Sequence, residues 1–427
     1  MALKLPKIPK FGKNTNRGSA AKQDPYIVSL DIGTEYVKAL VGEVKGDHVE
    51  IIGAAKQRQR LTDMAGGAVT DIAGVVDNCD KALREAEKMS GVVARNTVIG
   101  IAGELVKGMS TTVSYRRARP EVQIDMVELK DIIERVQRTA FDKVRDQLSW
   151  ETGSNDMQVK LVNAAVVDVT IDGYRVTNPI GFQGQDVSIA VFTAFAPMVH
   201  LGALQSVARD LDLNLINIAA EPFAVAKSVG ADDSTEFSAI FIDIGGGTSD
   251  IAVVNNGGVV GTKMFAIGGR SFTKRIAQSL SVSFEEAEKL KINHSAGALA
   301  KAEESAVADA LDTDVEVWLS GVELSLSEFD ELDHLPNRIL LCGGGSALPE
   351  IKKALQTEWY KDLPFARKPK IDFVAPADVN RVLDHTGRLT SPQDITPMGL
   401  ANLALDIVGT EAKGEQLLQR LSRTLSI

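Results

Sequence analysis

The chain has 427 residues, 44% of them hydrophobic and 24% charged, a globular composition long enough for two or three compact units rather than one core. That excludes disorder, collagen or a coiled coil as a description of the whole chain. With 47 basic against 57 acidic residues the net charge is −10, so a nucleic-acid backbone is not the expected partner, and no nucleic acid is assigned.

The charge is uneven along the chain. Residues 1 to 24 carry Lys4, Lys7, Lys10, Lys13, Arg17 and Lys22 against Asp24, a net +5, leaving −15 on the remainder. Leu3, Leu5, Ile8 and Phe11 alternate with these lysines, but Pro6 and Pro9 forbid a continuous helix, which predicts an extended, mobile basic arm. Three strands follow, Tyr26 to Asp31, Val37 to Val44 and Val49 to Ala54, joined through Gly33 and Gly46-Asp47, an antiparallel meander. Ile72, Val75, Val76, Cys79, Leu83 and Ala86 have helical spacing that ends near Gly91. Residues 97 to 115 read as strands, Pro120-Glu121 as the opening of a helix with Met126, Leu129, Ile133 and Val136 on its apolar face, and Val159 to Thr170 as strand again. Asp172-Gly173 predicts a hairpin turn, Val187 to Phe195 a buried strand, Val199 to Leu211 a helix, Leu215 to Ala219 a strand, and Glu221-Pro222 a helix start. Beyond the polar break Asp232 to Glu236 the meander returns, with Asp-Ile-Gly recurring 212 residues after its first occurrence. That repeat predicts two related domains facing one another. Helices fill most of 271 to 331, with a stripe of Val315, Trp318, Val322, Leu326 and Phe329, before a buried strand at Arg338 to Cys342.

Cys79 and Cys342 give neither a disulfide framework nor zinc-ligand spacing, which makes a reducing cytoplasm the default. The five histidines are scattered without an H-x-x-x-H pair. No apolar run approaches the roughly 18 residues of a spanning helix, and no signal-peptide pattern opens the chain.

Four motifs carry chemistry. In Asp31-Ile-Gly33-Thr34-Glu35-Tyr36-Val-Lys38, the turn N–H groups can cradle phosphate oxygens, Asp31 can hold a hydrated Mg²⁺, and alternation returns Lys38 beside the turn; an ordinary hairpin with an exposed lysine is the alternative. Asp243-Ile-Gly245-Gly246-Gly247-Thr248-Ser-Asp250 mirrors it, and three glycines in a row need a reason such as close approach of a bulky anion. If the two turns face each other, Asp31 and Asp243 bracket one metal ion. In Arg338 to Ser346 a strand opens through Gly343, Gly344 and Gly345 into a helix near Leu348-Pro349, where adenine could lie against backbone, or where strand and helix simply pack closely. Finally, Glu288 and Lys291 share a helical face and could bond ribose hydroxyls, unless that face is merely solvated.

In this order and with this duplication, the motifs resemble the actin, sugar-kinase and heat-shock-chaperone ATPase superfamily, the first two as its phosphate loops and the third as its adenosine loop. Further points resemble the FtsA family of bacterial cell-division proteins over about residues 26 to 410: Gly67 to Asp71, Val98 to Gly103, Asn178 to Gly181, Glu221-Pro222, Ile267-Gly268-Gly269 and Glu286 to Lys291. The implied fold is α/β, with duplicated actin-like (ribonuclease-H-like) ATPase domains around a nucleotide cleft and an FtsA-type inserted subdomain. The corresponding division is a first domain at 25–96 and 182–235 closed by a helix at 396–410, an insertion at 97–181, and a second domain at 236–275 and 336–395 with a helical subdomain at 276–335. The resemblance further implies ATP with Mg²⁺, slow hydrolysis at most, and a nucleotide that mainly controls polymerisation. Asp243 would serve the metal and catalysis, and Glu221 would orient or deprotonate the attacking water; a helix-start Glu favoured by the macrodipole is the plain alternative.

The family resemblance also implies a membrane end and partners. After a linker, residues 415 to 427 place Leu417, Leu418, Leu421 and Leu425 on one face at about 100° per residue, with Arg420 and Arg423 elsewhere. An isolated helix this short is marginal in water, so lipid or the protein's own flank must stabilise it. The implied protein lies on the cytoplasmic face of the inner membrane at the division site, forms filaments, and tethers the tubulin-like division protein FtsZ, with the 276–335 segment as partner face. Two alternatives share the fold: a PilM-like pilus-assembly protein, which the leucine stripe disfavours, and a small-metabolite kinase, which lacks a recognisable acceptor motif here.

Overall fold

The computed structural model describes residues 25–153, 158–230 and 237–408. The basic arm, the polar break and the stripe of Leu417, Leu418, Leu421 and Leu425 lie outside the described residues.

The chain opens with the expected meander, β1 (Tyr26–Ile32), β2 (Tyr36–Lys45) and β3 (His48–Arg58), then a two-rung ribbon, β4 (Met64–Ala65) and β5 (Ala68–Val69), and α1 (Ile72–Ser90). Helix α1 starts where the Asp71 side chain accepts from the Gly74 N–H and stops at Gly91 with φ of 73°, the left-handed cap that glycine favours. Next come β6 (Asn96–Ile101), β7 (Lys107–Arg116), α2 (Met126–Thr152), β8 (Val159–Ile171), β9 (Tyr174–Arg175), β10 (Asp186–Pro197), α3 (Met198–Asp210), β11 (Asn214–Ala220) and α4 (Glu221–Ser228). Helix α2 begins at Met126, not at Pro120-Glu121. The Asp125 side chain caps it by accepting from Glu128 N–H, whereas the Pro120 carbonyl is bound by the Gly184 N–H in a loop.

The second half repeats the plan: β12 (Ala239–Ile244), β13 (Ser249–Asn255), β14 (Gly258–Phe265), α5 (Gly269–Leu280), α6 (Phe284–Ser295), α7 (Lys301–Ser327), β15 (Arg338–Cys342), α8 (Pro349–Leu355), β16 (Lys370–Phe373), β17 (Val382–Asp384) and α9 (Ile395–Val408). In the first sheet β1 is antiparallel to β2, β2 to β3, and β1 and β11 are parallel to β6. In the second, β12 is antiparallel to β13, β13 to β14, and β12 and β16 are parallel to β15. The same pattern in both halves, a three-stranded antiparallel meander with two strands added in parallel, is the duplication that the recurring Asp-Ile-Gly indicates.

Helices α4 and α9 lie between the sheets and join them. One apolar core takes in Leu30 and Ile99 of the first sheet, Phe223 and Val225 of α4, Leu400 and Ala404 of α9, and Phe241 and Val254 of the second sheet. Alternate residues of β12, Ile240, Ile242 and Ile244, face the other way into a core with Phe272, Ile276 and Trp318, the period-2 geometry of a strand buried on both faces. The stripe Val315, Trp318, Val322, Leu326 and Phe329 is buried as its spacing predicts.

The inserted region has its own core, where Leu129, Ile133 and Val136 of α2 pack on Val169, Val187 and Ile189. Strand pairing groups the region differently from the division at 97 and 181. Strand β6 pairs with β1 and β11 in the first sheet, while β10 pairs with β7 and β8. Two rungs, Gly261 with Met109 and Thr262 with Gly108, then join β7 to the edge of β14. Among the described residues no helix is long and apolar enough to cross a membrane.

Candidate nucleotide site

A cavity of about 370 Å³ opens between the two sheets, and Asp31, Gly33, Thr34, Lys38, Glu221, Asp243, Gly245, Gly246, Thr248, Glu288, Lys291, Gly343, Gly344 and Gly345 all lie on its wall. Gly247 and Ser346 stand behind it. A Cβ on Gly247 would come 2.7 Å from Thr34 Oγ1, and the fully buried Ser346 closes its own turn by donating to Gly343 O at 2.7 Å.

The two turns are built alike. Gly33 N–H donates to Tyr36 O at 3.1 Å and Gly245 N–H to Thr248 O at 2.9 Å. In the strand registers Asp31 pairs with Lys38, and Asp243 pairs with Asp250. The duplication is therefore charge-asymmetric, with a carboxylate in the second half where the first has an ammonium. Asp250 stands at the same offset from Asp243 as Lys38 from Asp31, the one signal in the sequence that marks its place.

The triple glycine serves contact between loops as much as room for an anion. A Cβ on Gly246 would lie 2.7 Å from Glu35 Cβ, and one on Gly247 would meet the Thr34 side chain, whereas one on Gly245 would approach nothing closer than 3.5 Å. Arg270, immediately after Ile267-Gly268-Gly269, fastens the same contact. Its guanidinium reaches Glu35 Oε2 at 2.8 Å, Thr34 O at 2.6 Å and Met64 O at 3.2 Å, while its backbone N–H donates to Gly246 O at 2.7 Å. Glu35 also accepts from Arg58 Nε at 2.7 Å. A lone arginine carries no local signal of a partner in another domain, so its role is not legible in the sequence.

The cavity floor holds four carboxyl groups against one lysine. Lys38 Nζ sits 2.9 Å from Asp31 Oδ2; burial disfavours its charge, but Asp31, with help from Asp243 and Asp394, holds its pKa above the ordinary value. Burial, then the charges of Asp31, Asp250 and Asp243, push Glu221 well above the usual carboxyl range. Burial and Asp243 do the same to Asp250. Asp243 is raised by burial, partly opposed by Thr396 of α9, whose hydroxyl donates to Asp243 Oδ2, and by Lys38. Gly100 gives Glu221 its place, because a Cβ there would be 2.6 Å from Glu221 Oε1. Such an excess of buried carboxyls suits a divalent cation, and Asp250 Oδ1 is buried with no hydrogen-bond partner among the described residues. Among the described residues no three His, Cys, Asp or Glu side chains converge as direct ligands.

On the opposite wall, Lys291 Nζ donates to Gly269 O at 2.9 Å, Thr273 Oγ1 at 2.7 Å and Glu288 Oε2 at 2.7 Å. Its three donors are thus occupied, and among the described residues Glu288 Oε1 accepts no hydrogen bond. Gly343, with φ of 80°, and Gly345 are required by β12, since Cβ atoms there would come 2.5 Å from Ile244 O and from Ile244 Cγ2 respectively; only Gly344 faces open space. His294 Nε2, 2.8 Å from Glu350 Oε1, ties α6 to α8 behind this wall. Tyr36 and Lys56 also line the cavity, and the Lys56 ammonium lies over the Tyr36 ring.

Duplicated halves closing on a cleft with paired glycine turns define an actin-like ATPase fold, which implies nucleotide binding. The family model of Hsp70 protein matches residues 82–310, and that of cell division protein FtsA matches residues 240–399. The longer match, over more than half of the chain, places it in the Hsp70-like family of actin-fold ATPases, and its sequence is similar to that of FtsA proteins. It is 29% identical to cell division protein FtsA of Pseudomonas aeruginosa over 64% of this chain, a match spanning 62% of that protein. It is 26% identical to FtsA of Bacillus subtilis over 77% of this chain and 76% of that one. A chain of the PilM-PilN type IV pilus biogenesis complex superposes with a TM-score of 0.63 at 18% identity, covering 89% of this chain and 98% of that one, a likeness of fold alone.

Proposed function

We propose that this protein binds Mg²⁺-ATP in the cleft, polymerises on the inner membrane, and anchors the tubulin-like division filament FtsZ. The observation that carries the reading is the meeting of the two glycine turns over one carboxyl-lined cavity, in a chain whose sequence relatives are FtsA proteins. The turn N–H groups of Thr34, Gly246 and Thr248 would face the phosphates, with Gly33 and Gly245 closing the turns that present them and Lys38 neutralising charge. Asp31 and Asp243 would hold the metal ion's waters, and the ion would supply charge neutralisation across the phosphates. Glu288 would accept from ribose, and Gly344 would leave room for adenine. Glu221 would orient the attacking water, and weak turnover is expected, with the nucleotide acting mainly on conformation.

Membrane attachment would come from Leu417, Leu418, Leu421 and Leu425, helped by the basic arm at anionic lipid, where each Lys or Arg contributes about 1 kcal/mol. One copy would bind weakly and a polymer firmly, through avidity. The test is co-sedimentation with lipid vesicles, with and without ATP and FtsZ. Binding of FtsZ to vesicles only when this protein is present, and loss of both when residues 1–24 and 415–427 are deleted, is the expected result; sedimentation unchanged by that double deletion rejects the tether.

A further inference from the structure

A second cavity, about 600 Å³, lies away from the cleft, where the inserted region meets the second domain. Two large apolar side chains stand on it almost bare, Trp150 at 86% and Leu324 at 66% exposure. In its floor Thr262 Oγ1 is buried and has no hydrogen-bond partner among the described residues. Its lysines are already paired, Lys107 with Glu151 and Lys263 with Glu328. Glu104, Asp330 and Glu331 are exposed and, among the described residues, have no basic side chain within ion-pair distance. The groove is thus apolar with a surplus of negative charge, a surface that exposed aromatic and aliphatic anchors mark for contact.

The chain itself contains the complementary segment. Residues 1 to 24 carry a net +5 and interleave Leu3, Leu5, Ile8 and Phe11 with Lys4, Lys7, Lys10 and Lys13. Thirteen residues between Phe11 and Pro25 span up to roughly 45 Å when extended, at about 3.3 to 3.6 Å each. We infer that the N-terminal arm occupies this groove when no anionic lipid is present, its apolar residues against Trp150 and Leu324 and its lysines toward Glu104, Asp330 and Glu331. The same lysines would leave for an anionic membrane, so groove and membrane compete for one segment. This goes beyond the nucleotide reading and does not depend on it.

Trp318 and Trp359 are buried, so quenching of tryptophan emission by acrylamide reports Trp150. A tethered segment has an effective concentration of about millimolar, which fills a groove of millimolar affinity about half of the time. In lipid-free buffer the accessible Trp150 signal of the full chain should therefore be about twofold below that of the chain lacking residues 1–24. The full-length triple variant Glu104→Lys, Asp330→Lys, Glu331→Lys should behave like the truncation, and high salt should remove the difference. Equal quenching in the full and truncated chains overturns the inference. So does protection that survives the truncation and grows with protein concentration, which would assign the groove to a second copy. An unchanged circular-dichroism spectrum and melting temperature in the truncated chain check that it is folded.

Discussion

Arg270 reaches across the cleft to Glu35, Nε to Oε2 at 2.8 Å, with the two side chains 11% and 12% exposed and 235 positions apart. The pair joins the first glycine turn to the helix that follows the second, and Arg270 adds bonds to the Thr34 and Met64 carbonyls. Cleft closure is thereby written into protein contacts as well as into whatever the cleft binds.

Arg270→Ala removes this clasp and leaves Glu35 with Arg58 alone. Hydrogen bonds to charged groups contribute about 1.5 to 3 kcal/mol each, so ATP affinity should fall roughly ten- to a hundredfold, at about 1.4 kcal/mol per tenfold. Arg270→Lys should recover only part of it, lacking the fork geometry. Calorimetric titration checks both, and wild-type affinity in the alanine variant would mean the clasp does not govern closure.

The carboxyl cluster predicts an inverted pH dependence. Burial and mutual repulsion raise Glu221 and Asp250 well above, and Asp243 above, their ordinary values, so the folded chain keeps protons that the unfolded chain has released. Their contribution to stability is greatest below the ordinary carboxyl pKa of about 4. It declines as pH rises toward the folded values, by about 1.4 kcal/mol per pH unit for each retained proton. Asp250→Asn should make the decline of stability with pH shallower in urea titrations above about pH 4 without nucleotide, and Mg²⁺-ATP should flatten it further. A slope unaffected by Asp250→Asn removes that residue from the cluster.

Gly100→Ala would place a Cβ 2.6 Å from Glu221 Oε1 and 3.0 Å from Leu400 Cδ1. The side chain most able to yield is Glu221, and displacing a catalytic group by about 1 Å can lower a rate roughly a hundredfold. Single-turnover hydrolysis should fall far more than ATP affinity. Equal losses in both would point to general damage to the sheet.

Gly53 tests the fold away from the cavity. A Cβ there would sit 2.2 Å from Ala86 O in α1, so Gly53→Ala forces helix and sheet apart at about 1 to 3 kcal/mol. Thermal unfolding should report the loss, with ATP affinity near wild type. An unchanged melting temperature would show that α1 can shift freely on the sheet.

Much of this was legible in the sequence because its signals are local. Alternation around Tyr26 to Ala54, the Gly91 cap and the two Asp-Ile-Gly turns each report on residues a few positions away. The start of α2 was misplaced because Pro120-Glu121 satisfies the composition of a helix start while its backbone is committed to Gly184. The strand at Val187 to Phe195 was legible, but the sheet it joins was not, since both faces are apolar whichever partner it takes. Arg270, Thr396 and Gly100 act through residues more than a hundred positions away in the chain, which no short-range pattern encodes.

The central claim, that the two glycine turns share one magnesium nucleotide, is tested most directly by equilibrium titration of ATP with and without Mg²⁺ on the wild type and on Asp243→Ala, each verified as folded. One site per chain is predicted, Mg²⁺-dependent in the wild type and weakened at least about tenfold in the variant, as expected for loss of at least about 1.4 kcal/mol. Equal affinity and equal metal dependence in the two proteins would contradict it.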